Sequence, residues 1–201
     1  MSSKNTYFFL VFLLFFSLIS CGQTNTANNN STALKTVAVS SKEILTGAQQ
    51  TERYLSILKQ KNIAIVANQT SVLFKKENCT HLVDSLHKLN TTIKKVFSPE
   101  HGFRGNADAS EAVANGIDKK TGIPIISLYG KNKKPTAEQL IGIELVVFDI
   151  QDVGVRFYTY ISTLHYIMEA CGENGIPVLV LDRPNPNAHY VDGPTLKMEH
   201  K

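Results

Sequence analysis

"IELVVFDIQDVG", residues 143–154, is an apolar run from Leu145 to Phe148 that ends in Asp149, Gln151 and Asp152. A short run without polar alternation fits a strand buried on both faces, as in the middle of a parallel sheet. Outward from it, strand and helix patterns alternate. Upstream, "TGAQQTERYLSILKQKN" (46–62) has helical spacing, with Tyr54, Leu55 and Leu58 on one face. "IAIVANQT" (63–70) reads as a buried strand. "NCTHLVDSLHKLN" (78–90) reads as an amphipathic helix, with Leu82, Val83, Leu86 and Leu89 on one side. "TIKKVFSPEHG" (92–102) and "GIPIISLYG" (122–130) read as strands, and "TAEQLIG" (136–142) as a short helix capped by Thr136. Downstream, "VRFYTYISTLHYIMEACGENG" (155–175) predicts a long helix that stops at its glycines, and "IPVLVLDRPNP" (176–186) a last strand.

Five strands alternating with helices predict an α/β fold, an open and mostly parallel Rossmann-like sheet with helices on both faces. Each strand ends in polar residues: Asn68-Gln69, Glu100-His101, Tyr129, Asp149 to Asp152, and Asp182-Arg183. Ligands of such sheets bind outside the carboxyl ends of the strands, so separate loops would deliver these groups to one rim. The structural alternative is that each Asp or Asn simply caps the next helix. No G-x-G-x-x-G follows the first strand and no G-x-x-x-x-G-K-[ST] occurs, so no nucleotide cofactor is called for.

The 201 residues are 43% hydrophobic and 19% charged, ordinary for one globular domain. Before that domain, Tyr7 to Ile19 is almost wholly apolar, Lys4 precedes it, and "LISCG" follows. The run is short for a membrane span and reads as a signal peptide over residues 1–20. "LISC" has the form of a bacterial lipobox, so Cys21 is the expected lipidation site. A plain signal or short anchor is the alternative. Residues 21–40, Asn- and Thr-rich, would tether the lipid to a domain at 41–201. This predicts a protein anchored in the bacterial envelope, on the outer membrane and facing the periplasm. The net charge is +4, about +3 without Lys4, and the basic residues are scattered, which implies no nucleic-acid partner. Cys79 and Cys171 fall in segments read as helical; two buried free thiols or one disulfide both fit.

The rim residues suggest chemistry. Glu100 follows Pro99 between Phe97 and Phe103, where a raised pKa would suit a general acid; a solvated loop Glu is the plainer reading. Gly102 and Gly105 let its loop bend tightly. Asp149 ends a very apolar strand, where an ionised group needs a partner, and Arg156 is near enough in sequence to supply one or to bind a substrate anion. Tyr158 and Tyr160 could stack on a sugar or serve the core. Asp182 could orient a substrate hydroxyl or pair with Arg183. Two carboxylates on facing loops are the equipment of glycoside hydrolysis. The six histidines have no H-E-x-x-H spacing and there is no G-x-S-x-G, so zinc and serine hydrolysis lack their motifs.

"VANQTS" (66–71), "FSPEHGFRG" (97–105), "GIPIISLYG" (122–130), "VVFDIQDVGVRFYTYISTL" (146–164) and "VLDRPNPNAHYVDGP" (180–194) occur in that order. Together they closely resemble the NamZ-like exo-β-N-acetylmuramidase family, from about Ile63 to Leu196. The resemblance implies a Rossmann-like domain followed by a smaller α/β domain, with the site between them. It implies release of N-acetylmuramic acid from the non-reducing ends of peptidoglycan fragments. It makes Glu100 the catalytic acid/base candidate. Asn68, His101, Arg104, Asp149, Asp152, Arg156, Tyr158, Asp182 and Arg183 take substrate-binding or supporting roles. The lactyl carboxylate of such a substrate calls for a cation, which Arg156 or Arg104 could provide. The sequence stops at "DGPTLKMEHK", where the family continues for a comparable length, so the second domain and one wall of the cleft are expected to be absent.

Overall fold

The computed structural model describes residues 44–75, 78–105 and 114–200. The leader, Cys21 and the tether lie outside the described residues. After a 3₁₀ turn at Gly47–Gln49, the elements are α1 (Thr51–Leu58), β1 (Ile63–Ala67), β2 (Val72–Lys75), β3 (Asn78–His81), α2 (Leu82–Lys88), β4 (Ile93–Ser98), β5 (Gly116–Ile117), β6 (Pro124–Ser127), α3 (Ala137–Leu140), β7 (Leu145–Asp149), α4 (Tyr160–Glu173) and β8 (Val178–Val180).

The main sheet has the order β5-β6-β4-β1-β7-β8. Every pairing from β6 to β8 is parallel, and β5 alone runs antiparallel at the edge. Counting only parallel strands in chain order, this is 3-2-1-4-5. The order reverses between β1 and β7, where a doubly wound sheet opens a crevice.

The sequence dictates this layering. Ile63, Ile65 and Ala67 of β1 face one way and pack with Tyr54 and Leu58 of α1 and Leu82, Val83 and Leu86 of α2. Ala64 and Val66 face the other way, against Leu140 of α3 and Ile167, Ala170 and Cys171 of α4. Both faces are covered, so β1 and β7 are buried at all five positions. Thr136 caps α3 in a capping box with Gln139, as its sequence predicts.

Three local readings are corrected. Residues 78–81 are extended, not helical: they pair antiparallel with Val72–Lys75 in a separate two-stranded sheet, and the helix starts at Leu82. The helix read over 155–175 spans only Tyr160–Glu173, so Tyr158 sits in the preceding loop. Cys79 is therefore in a strand, exposed, and both it and Cys171 are free thiols.

Candidate active site at the carboxyl edge of the sheet

β4 ends at Ser98, and Pro99 halts the ladder because it has no N–H. The Gly102 N–H then donates to the Pro99 carbonyl at 3.1 Å, closing a tight turn over Glu100 and His101. His101 sits at φ 69°, a left-handed conformation that costs a non-glycine residue energy. The turn lifts Glu100 out of the sheet, half-buried, toward the start of α4, where its Oε2 accepts from Thr159 Oγ1 at 3.3 Å. Glu100 lies between two cavities. One, about 200 Å³, is bounded by Leu128, Tyr129, Lys133, Ser162 and Tyr166. The other, about 160 Å³, is bounded by His101, Phe157, Tyr158 and Tyr160, and Thr159 borders both.

Arg104, three residues past His101, does not face a ligand. Its Nε and Nη2 bond both oxygens of Asp118 at 2.9 and 2.7 Å, and Nη2 also reaches Asp84 Oδ1 at 2.8 Å. Lys120 adds a second cation to Asp84 at 2.6 Å. Hydrogen bonds from Arg104 hold the Asp118 carboxyl down at about 2. Burial pushes the Asp84 carboxyl up, but Arg104 and Lys120 outweigh it and its pKa is lowered. The guanidinium stacks on Phe103, 4.6 Å from the ring centre, and Phe103 meets the edge of His81. This network fixes the loop that carries Glu100.

Asp149 is fully buried at the end of β7, as its apolar surroundings require. Its partner is Arg183, not Arg156: Arg183 Nε and Nη2 bond the two carboxylate oxygens at 2.6 and 3.0 Å, and Nη2 also donates to the Val72 carbonyl. Burial raises the Asp149 pKa in spite of Arg183. The pair ties β7, β8 and β2 together beneath the rim. Asp182 is exposed and does not pair with Arg183 in this arrangement. Arg156 is exposed and donates to the Pro194 carbonyl at 2.5 Å.

A third cavity, about 340 Å³, opens between the ends of β7 and β8 and α4, with Ile150, Asp152, Tyr160, Ile161, Asp182 and Asn185 among its walls. The Asp152 carboxylate accepts from the Gly154 N–H at 3.1 Å. Gly154 is required there, since it sits at φ 69° and a Cβ would lie 2.2 Å from the Asn185 amide.

The comparisons with known proteins settle the family. The profile described as "Exo-beta-N-acetylmuramidase NamZ, N-terminal" matches residues 63–201. The chain belongs to the NamZ family. It is 43% identical to the peptidoglycan β-N-acetylmuramidase NamZ of Bacillus subtilis (strain 168), over 98% of this chain and 46% of that protein. It is also similar to crystal structures of two DUF1343 family proteins of Bacteroides fragilis NCTC 9343. One aligns with TM-score 0.67 and 45% identity over 80% of this chain and 40% of its own. The other aligns with TM-score 0.61 and 39% identity over 71% and 35%. The chain thus spans about half the length of the NamZ relative it matches.

Within this NamZ-family domain, the structure brings Glu100, His101 and Tyr158 to one cavity and Asp152, Asp182 and part of Arg183 to another. Tyr160 borders both, which links them. Asn68 is fully buried beneath the rim. Sequence reasoning did not single out Thr159 or Lys133. Thr159 falls inside a stretch read as helix, which concealed its place at a helix start. Lys133 lies in the polar loop "KNKKP", where nothing distinguishes one lysine from its neighbours.

Proposed function

We propose that this chain carries the glutamate-bearing part of an exo-acting N-acetylmuramidase site. The enzyme would release N-acetylmuramic acid from the non-reducing ends of peptidoglycan fragments during cell-wall turnover. A lipid on Cys21 would hold it at the envelope, facing the periplasm. The observation that carries the reading is the position of Glu100, on a strained turn at the carboxyl end of a central parallel strand, between two cavities and hydrogen-bonded to Thr159. Membership of the NamZ family supplies the substrate class.

Glu100 would protonate the departing glycosidic oxygen. Asp152 and Asp182 are the nearby rim carboxylates for the second function, since Asp149 is committed to Arg183. The lactyl carboxylate needs a cation. Arg104 is committed to Asp84 and Asp118, which leaves Lys133, on the wall of the 200 Å³ cavity with Glu100, and the exposed Arg156.

The test is turnover of a chromogenic N-acetylmuramide by this chain and by a full-length relative. Glu100→Gln should abolish turnover, a loss of at least about a hundredfold for a general acid, while sugar binding persists. Unchanged turnover in that variant would remove Glu100 from the chemistry. A Cys21→Ser form leaving the membrane fraction would support the anchor, and one that stays would count against it.

A second reading is a muropeptide-binding protein without turnover. One observation favours it: neither cavity beside Glu100 has a second carboxylate among its described lining residues. Binding without turnover by both this chain and the full-length relative would decide for it.

A further inference from the structure

Glu100 and Thr159 are the two residues common to the 200 Å³ and 160 Å³ cavities, and their 3.3 Å hydrogen bond stands at the common border. A general acid has to reach the oxygen that joins two sugars, so one ring lies on each side of it. Each cavity is smaller than the roughly 300 Å³ at which pockets for larger ligands begin, and the two side by side suit a two-ring ligand.

Their walls differ. Lys133 is the one lysine or arginine among the described residues lining either cavity, and it lies on the larger. Aromatic rings wall the smaller. The ring centres of Phe157 and Tyr158 are 5.5 Å apart, and those of Tyr158 and Tyr160 are 6.5 Å apart. Phe157 is 83% exposed and Tyr158 45%, whereas Tyr129 and Tyr166 on the larger cavity are half-buried. The Tyr158 N–H donates to the Val155 carbonyl at 3.0 Å, which closes a turn with Arg156 and Phe157 between. The backbone thus holds the Phe157 ring in the open. A scattered exposed side chain needs no explanation, but here two open rings adjoin on one cavity wall with Glu100. Tyrosine can turn its hydroxyl to water; phenylalanine has no polar atom and gains only from an apolar partner.

Resting on the muramidase reading above, we propose that the two cavities are the two sugar subsites of one site. The larger holds the muramic ring, with its lactyl group toward Lys133. The smaller holds the leaving sugar, a neutral pyranose stacked on Phe157. Phe157 is then a substrate-binding residue that sets a preference for a leaving group with a sugar ring. A pyranose with equatorial substituents presents axial C–H groups on its faces, an apolar patch that an aromatic ring covers. The assignment of sides follows from charge. The muramic ring carries an anion, which suits the cavity with the lysine, and the leaving sugar carries none, which suits the aromatic one. His101, on the smaller cavity, is left to hydrogen-bond the hydroxyls of the leaving sugar.

The experiment titrates two ligands against the Glu100→Gln form of this chain, which leaves both uncleaved. One is the methyl β-glycoside of N-acetylmuramic acid. The other is the β-1,4-disaccharide of N-acetylmuramic acid with N-acetylglucosamine at its reducing end, and only this one has a ring for the smaller cavity. Phe157→Ala should weaken the disaccharide about five- to tenfold, the scale of uncovering part of one aromatic ring, and leave the methyl glycoside unchanged. Phe157 is exposed, so its replacement leaves the core intact. Phe157→Trp, which keeps a stacking face, should keep the advantage of the disaccharide. Lys133→Ala should weaken both ligands by the same factor. If Phe157→Ala weakens both ligands equally, or neither, the inference is overturned and the muramidase reading stands. A loss confined to the disaccharide in Lys133→Ala overturns it too, because the cation would then face the leaving sugar. If the chain binds neither ligand, with Glu100 intact or replaced, both fall.

Discussion

Single residues at this rim divide into those the fold consumes and those left for a ligand, and charge accounting separates them. Arg104, Arg183 and Asp149 look like ligand residues in sequence, because acids and arginines after apolar strands often are. Each is satisfied inside the protein. That Asp149 needs a cation was legible, since a carboxylate ending a buried strand cannot stay unpaired. Which arginine supplies it was not. Arg156 is close in sequence, but Arg183 arrives through the parallel pairing of β7 with β8, which no local pattern encodes. The same accounting leaves Lys133 and Arg156 as cations for the lactyl carboxylate. Lys133 shares a cavity with Glu100, whereas Arg156 is held by the Pro194 carbonyl. Lys133→Ala should therefore lower kcat/KM about tenfold on muramic-type glycosides and little on glucosamine-type ones, in line with one charge-assisted hydrogen bond. Arg156→Ala should change both alike or not at all. Kinetics on the two substrates, measured in a full-length relative carrying the matching changes, check this, and the opposite pattern would transfer the role to Arg156.

At the scale of elements, the alternation of strands and helices was readable because both sheet faces are covered, so β1 and β7 are plain apolar runs and β4 becomes one toward its carboxyl end. The misread pieces are those whose structure depends on a distant partner. Asn78–His81 has no apolar pattern of its own and is extended only because Val72–Lys75 lies opposite. Residues 155–159 carry the right composition for a helix, yet Phe157 and Tyr158 stay exposed in the loop, beside Glu100. The loop from Pro99 to Gly105 was legible as a turn, though not the conformation of His101. With its φ at 69°, His101 stores strain that glycine would not feel. His101→Gly should stabilise the fold by up to about 1 kcal/mol in urea titrations, once the added chain entropy of glycine is set against the strain. It should lower turnover if the imidazole touches the sugar. A destabilised variant would mean that the imidazole makes contacts worth more than the strain.

For the molecule as a whole, the Arg104 cluster is the main joint between the Glu100 loop, the first turn of α2 and the turn after β5, and it makes the fold sensitive to acid. Asp118 is held at about 2, against 3.8 ordinarily, by hydrogen bonds from Arg104. A folded pKa below the unfolded one means that its stabilisation is complete above about pH 4 and drains away as pH falls toward 2. The depression corresponds to roughly 2 kcal/mol. His81, whose pKa burial lowers, acts in the same sense at higher pH, because the unfolded chain takes up a proton that the folded one resists as pH drops through 6.5 and below. Asp149 opposes both: burial raises its pKa, so the folded state takes its proton first and gains relative stability on acidification. The Asp118 effect should dominate between about pH 4 and 2, the window where its two states differ in protonation. Urea midpoints measured across pH for the wild type and Asp118→Asn check this. The variant should be less stable by about 2 kcal/mol at pH 7 and should lose most of the decline below pH 4. If its acid limb keeps the wild-type slope, Asp118 does not carry that limb, and it passes to Asp84, the other carboxylate on Arg104, whose pKa is also lowered.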